Sequence, residues 1–175
     1  YVRHPQASQV VTLFERVVKA AEAAAMGTET EMSFEVMHGN YPVMPNHTLA
    51  RLVHDNLEDL GGIKYSAAEQ QFAQTIQKSF FDGHLPLGSE RYIQPYMFRQ
   101  GMGSTDVGDV SWLVPTVGFT TATWVPGTSS HSWQAVAAGG MSIGHKGMHL
   151  ATKLLAKTAV DLIQNQQLIA EATAE

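Results

Sequence analysis

The chain has 175 residues, no cysteine, and a formal net charge of −5 at pH 7, from 11 Lys and Arg against 16 Asp and Glu. Such mild acidity excludes a general nucleic-acid binder, which needs clustered cations, and zero Cys excludes a disulfide scaffold, a thiolate metal site and a Cys nucleophile. The 44% hydrophobic content supports a buried core, while the apolar runs stay far below the roughly 20 residues of a membrane helix.

Tyr1-Val2-Arg3 reads as part of a strand, and residue 1 is not Met. No signal-peptide pattern precedes it, so a piece of a longer chain is expected. The missing cysteines fit a reducing compartment, and a cytoplasmic location is expected. Val10, Val11, Phe14, Val17, Val18, Ala21 and Ala25 recur at spacings of three and four. That predicts an amphipathic helix, opened at Gln6 or Ser8 and ended by Gly27. Glu31 to Met37 alternates polar and apolar residues, with Met32, Phe34 and Val36 on one face, and predicts a half-buried strand. Strand, helix and strand over 1–38 make one α+β layer.

The turn-rich stretch His38 to Pro45 is the expected boundary between a small region, 1–40, and a larger one, 41–175. Asn46 predicts the cap of a helix carrying Leu49, Leu52, Val53, Leu57 and Leu60, closed by Gly61-Gly62. Ser66-Ala-Ala-Glu69 has capping-box spacing and opens a helix through about Phe81. Gly83, Pro86, Gly88 and Pro95 mark an irregular loop over 82–95. Gly101 to Asp106 is a glycine-rich turn leading into 107–113. Val117 to Trp124 is rich in β-branched and aromatic residues and predicts a strand. A loop, Pro126 to Ser130, ends at His131, and a helix follows to Ala138. Ser142 is placed to cap a last long helix, and the polar tail 165–175 is expected to fray.

Eight histidines stand at 4, 38, 47, 54, 84, 131, 145 and 149. An ordinary surface or core imidazole accounts for most of them. His145 and His149, at i and i+4, share one helix face. A zinc-protease helix would place Glu after the first His; here Lys146 takes that position, its charge disfavours a cation nearby, and Gly147 weakens the helix. His131 stands beyond the end of an expected strand, where ligands of α/β sheets bind. The glycines of 101–106 let backbone N–H groups approach an anion. Asp106 is placed to bind a cation, to orient a histidine or simply to cap the helix that follows. No Gly-x-Ser-x-Gly or phosphate-loop motif is present. The residues alone give an α/β piece with one histidine ligand and one anion loop.

Three segments carry a resemblance: Gly103-Ser-Thr-Asp-Val-Gly-Asp-Val-Ser-Trp112, Pro126-Gly-Thr-Ser-Ser-His-Ser-Trp133 and Ser142-Ile-Gly-His-Lys-Gly-Met148. In order and spacing the chain resembles the C-terminal part of the M20 metallopeptidase/amidohydrolase family, in the branch that resembles the B-type subunit of p-aminobenzoyl-glutamate hydrolase. The resemblance implies an α/β fold: the C-terminal half of a catalytic mixed sheet with helices on both faces, over 41–175, plus part of an α+β lid over 1–40. It implies two divalent metals, zinc or manganese, that activate water against an amide carbonyl. The substrate class implied is an N-acyl amino acid or p-aminobenzoyl-glutamate. His131 matches the family's last metal ligand, and Arg3 its carboxylate-gripping arginine. Gly103, Ser104, Thr105 and Asp106 match the substrate-side loop; Asn46 matches a further substrate contact, which a helix cap explains equally well. The general-base glutamate and the other ligands have no counterpart, so no catalytic residue is expected here and the chain alone is expected to be inactive. A homodimer or a hetero-oligomer with a related subunit is expected, with no nucleic acid and no membrane as partner. A non-catalytic interaction or dimerisation module is the alternative.

Overall fold

A computed structural model describes residues 1–81, 85–99, 101 and 103–175. Gly83 and His84 of the expected loop, and Met102 of the glycine-rich turn, lie outside the described residues. In chain order the helices are α1 (Ala7–Gly27), α2 (His47–Leu60), α3 (Ala67–Gln77), α4 (Val107–Ser111), α5 (Trp133–Gly139), α6 (Ser142–Gln164) and α7 (Gln166–Ala174), with a 3₁₀ turn at Ser89–Arg91. Among the described residues there is no strand.

The α/β expectation is therefore corrected to an all-helical fold, and with it the mixed catalytic sheet and the α+β lid. The segments 1–3, 31–37 and 117–124 are irregular. The physical reason is pairing. A strand exists only when a neighbour takes its N–H and C=O groups. Among the described residues no backbone hydrogen bond joins 31–37 or 117–124 to another segment. Alternation and β-branching give a segment a face but no partner.

The chain divides into two compact units, one of Tyr1–Pro45 with Arg99–Thr116, the other of Asn46–Phe98 with Val117–Glu175. In the first unit α1 starts after Gln6 and carries no buried residue. Its Phe14 ring meets Phe34 edge-on at 5.8 Å. The connector 41–44 is held by α4 rather than by a sheet. Tyr41 N–H donates to Asp109 Oδ1 at 2.8 Å, Met44 N–H to Ser111 Oγ at 2.8 Å, and Trp112 Nε1–H to Pro42 O at 2.9 Å. The Tyr41 and Trp112 rings lie 5.4 Å apart. Buried Gly108 lets the two backbones touch, since a Cβ there would overlap Tyr41 O.

In the second unit α2 and α5 pack on α6, and α7 packs on α2. The core is Ile63, Tyr65, Ala73, Ile76, Val125, Ala138 and Ile143. Apolar residues at spacings of three and four bring these helices together because burial removes their stripes from water. Buried Asn56 crosses to α6, donating to Thr158 Oγ1 at 3.2 Å and Asp161 Oδ2 at 2.7 Å. Ser66 and Glu69 form the expected capping box, although α3 ends at Gln77 rather than Phe81. The tail does not fray. Asn165 caps α7 by accepting from Gln167 N–H, and Ala172 is buried. Glu175 then takes the N–H groups of His47 and Thr48 at 2.7 and 3.0 Å. Those two bonds hold the Glu175 carboxyl below its ordinary range.

Candidate functional site

His131 closes the loop that follows buried Val125 and Pro126. Each end of this loop is fixed. Thr128 gives both its N–H and its Oγ1–H to Val125 O, and Gln77 Nε2 donates to Pro126 O at 3.0 Å. Ser132 donates to Ser129 O at 2.7 Å and accepts Ala135 N–H at 3.2 Å, which caps α5. Between these anchors His131 adopts φ 59°. A non-glycine residue in the left-handed region carries strain that its surroundings must hold, and such residues gather at functional sites. The imidazole is exposed. It stands on a shallow dish with Trp124, Ser132, Trp133, Ala135 and Val136.

The other residues matched through the resemblance are distributed over both units. Arg3 is exposed at the start of the first unit, its guanidinium 5.6 Å from the Tyr1 ring. Gly103, Ser104, Thr105 and Asp106 are exposed in the same unit, just before α4. Asp106 takes the cap position of α4 but makes no side-chain capping bond; Thr105 Oγ1 accepts Val107 N–H at 3.3 Å instead. Asn46 and His131 belong to the second unit.

Asn46 has both ends of its side chain in use. Its Oδ1 accepts Leu49 N–H at 2.9 Å and its Nδ2 donates to Ala172 O at 2.8 Å. One amide thus caps α2 and ties α7 to it. Asn46→Ala should lower stability by about 1–2 kcal/mol, the usual range for a lost cap plus one tether. Thermal unfolding by circular dichroism checks this; an unchanged midpoint would contradict the tether.

The segment 142–148, which carries one of the three motifs, is held from behind. Lys146 Nζ donates to Glu69 Oε2 and, at 2.9 Å, to Lys64 O. Gly147 O accepts Thr121 Oγ1–H at 3.0 Å. Burial alone would raise the Glu69 pKa, but hydrogen bonds from Lys146, Ser142 and the Ser66 N–H outweigh it and lower the carboxyl to about 2. Tyr65 is pushed well above its ordinary value, by burial first and then by the carboxylates of Glu90 and Glu69. It donates to Trp124 O at 3.2 Å, fixing the residue that lines the His131 dish.

A second cluster belongs to no motif. Tyr96 is gripped by one face of α2: His47 Nδ1 lies 3.1 Å from its hydroxyl, the Arg51 guanidinium 3.9 Å from its ring centre, and the His54 ring edge-on at 5.6 Å. Residues 47, 51 and 54 follow i, i+4, i+7 spacing, which shows in the sequence; their shared partner does not.

A metal centre needs three or more convergent protein donors. Among the described residues no group of three His, Cys, Asp or Glu is placed to hold an ion. The donors present therefore do not fit a complete centre; His131 offers one imidazole.

No family model matches the chain, and no solved structure matches it. A curated protein does: over 201 residues the chain is 32% identical to the B-type subunit of the p-aminobenzoyl-glutamate hydrolase of Escherichia coli (strain K12). The match covers 99% of this chain and 41% of that protein. The chain therefore resembles a hydrolase subunit along nearly its whole length, as expected of the p-aminobenzoyl-glutamate hydrolase branch. It spans about two fifths of the relative's length.

Proposed function

We propose that this chain is part of a metal-dependent amidohydrolase of the M20 type, which cleaves the amide of an N-acyl amino acid or of p-aminobenzoyl-glutamate. The observation that carries this reading is the similarity to a p-aminobenzoyl-glutamate hydrolase subunit across 99% of the chain. In the proposal His131 supplies one imidazole to a zinc or manganese centre whose remaining donors lie outside this chain. Its anchored loop and left-handed backbone support that role, because they fix the backbone from which the imidazole projects at the surface. Arg3 is proposed to grip the substrate carboxylate by a bidentate pair. The exposed turn from Gly103 to Asp106 is proposed to face the substrate through its backbone N–H groups. A divalent metal, when bound, would polarise water for attack on the amide carbonyl. With one donor of its own, the chain by itself completes no such step. The proposed setting is cytoplasmic, as a homodimer or beside a related subunit.

A second reading, a non-catalytic interaction module, is favoured by one observation. Large apolar side chains stand exposed side by side on α5, Trp133 at 62% and Val136 at 79%. Apolar patches of this kind mark protein contacts. One assay tests the partial centre of the first reading. Incubated with p-aminobenzoyl-glutamate and Zn²⁺ or Mn²⁺, the chain alone should release no p-aminobenzoate. Metal-dependent turnover by the chain alone would contradict the partial centre.

A further inference from the structure

The face of α6 that does not meet the core has its own donor set. His145, Met148 and His149 follow i, i+3, i+4 spacing, so they fall on one stripe, and Met141 is the cap residue before the helix. His145 N–H donates to Met141 O at 3.0 Å, which sets Met141 one turn before His145. All four side chains are exposed, Met141 at 47% and Met148 at 54%. Among the described residues neither imidazole has a hydrogen-bond or ion-pair partner, so the ring nitrogens are open to a ligand. Residues four apart on a helix hold their Cβ atoms about 5–6 Å apart, within reach of one ion.

Two objections to this helix as a metal site come from its sequence, and the structure answers both. Lys146, between the two histidines, does not reach the stripe; Glu69 and Lys64 O hold its ammonium. Gly147 does not loosen the helix, because the bond from Thr121 pins its carbonyl. The turn that presents the donors is thereby held rigid from behind.

We propose that this stripe binds a monovalent copper ion through the imidazoles of His145 and His149 and the thioether of Met148, with Met141 as a further soft donor at the open end. Thioether with imidazole is the donor mixture that selects Cu(I), whereas zinc and manganese have no use for methionine sulfur. The site is independent of His131 and of the hydrolase reading.

The test is an anaerobic titration of the chain, carrying ¹³C-methyl methionine, with Cu(I) held in ascorbate and a competing chelator. The Met148 methyl and the His145 and His149 rings should shift together and saturate at one equivalent. Binding should be lost in the double variant His145→Gln/His149→Gln, weaken about tenfold or more in Met148→Leu, and be unchanged in His131→Ala. These are exposed side chains, and an unchanged circular-dichroism spectrum confirms that the variants fold. Shifts that persist in the double variant would overturn the proposal. So would no shift at one equivalent, or equally tight uptake of Zn²⁺ by the same residues.

Discussion

Replacing Gly147 with Val should destabilise the second unit by about 3 kcal/mol or more, the upper end of overpacking in a closed core. Gly147 is buried in α6 against the segment 121–123. A Cβ built there would lie 2.5 Å from Ala122 O and 2.6 Å from Thr123 Cγ2. The nearer atom is backbone, so it cannot swing aside as a flexible side chain would. Relief requires α6 to lift, which would break the bond from Thr121 to Gly147 O and disturb the grip on Lys146. A Val branch enlarges the overlap and adds rotamer strain. Gly147→Ala should show a smaller loss in the same direction. Urea unfolding of the two variants measures both; equal stabilities to the parent chain would refute the close approach.

Lys146→Met should be the next largest effect, a loss of about 2 kcal/mol. Removing one partner of a buried ion pair costs about 3–5 kcal/mol, but Lys146 is 38% exposed, and water screens part of that. What remains is the cost of leaving the Glu69 carboxylate, 7% exposed, without its counter-ion and held only by Ser142 and Ser66. Glu69→Gln should recover part of the loss in the double variant, because a neutral amide no longer needs the ammonium.

The same pair sets an acid limit. The folded-state pKa of Glu69 is depressed, to about 2 against an ordinary 4.5. Its stabilisation is therefore complete above the unfolded value, and is lost as pH falls from about 4.5 towards 2. Denaturant midpoints should fall across that window in the parent chain and fall less in Glu69→Gln. A parallel decline in both would place the acid sensitivity elsewhere.

The helices are legible in the sequence where a period and a stop signal agree. Gly27 ends the long apolar stripe of α1, and Ser66 with Glu69 opens α3 through a capping box that both side chains complete. Asn46 is legible as a cap, but its tether to Ala172 spans 126 residues and leaves no local trace. Strand composition misleads for a similar reason. Residues 31–37 and 117–124 have it, and strand formation depends on a pairing partner that composition does not encode. The polar residues of the tail 165–175 suggest a solvated end, yet its ordering comes from contacts with α2.

At the candidate site, His131 is legible from its place after a Pro-Gly loop. Its φ of 59° is not, since histidine has no intrinsic demand for that backbone. The motif from Ser142 to Met148 is legible as a pattern, and its physical content differs from what its histidines suggest. Lys146 and Gly147 look inward and fasten the helix, while His145 and His149 look outward. Spacing alone shows which residues share a face, but not which face the core takes.

The proposal that His131 is one donor of an incomplete centre is tested most directly by a Zn²⁺ titration followed at its ring. No saturable one-to-one site should form there, so the ring resonance should move no more than in a denatured control. Stoichiometric Zn²⁺ binding at His131 that is abolished in His131→Ala would show a complete site within this chain, and would contradict the incomplete centre.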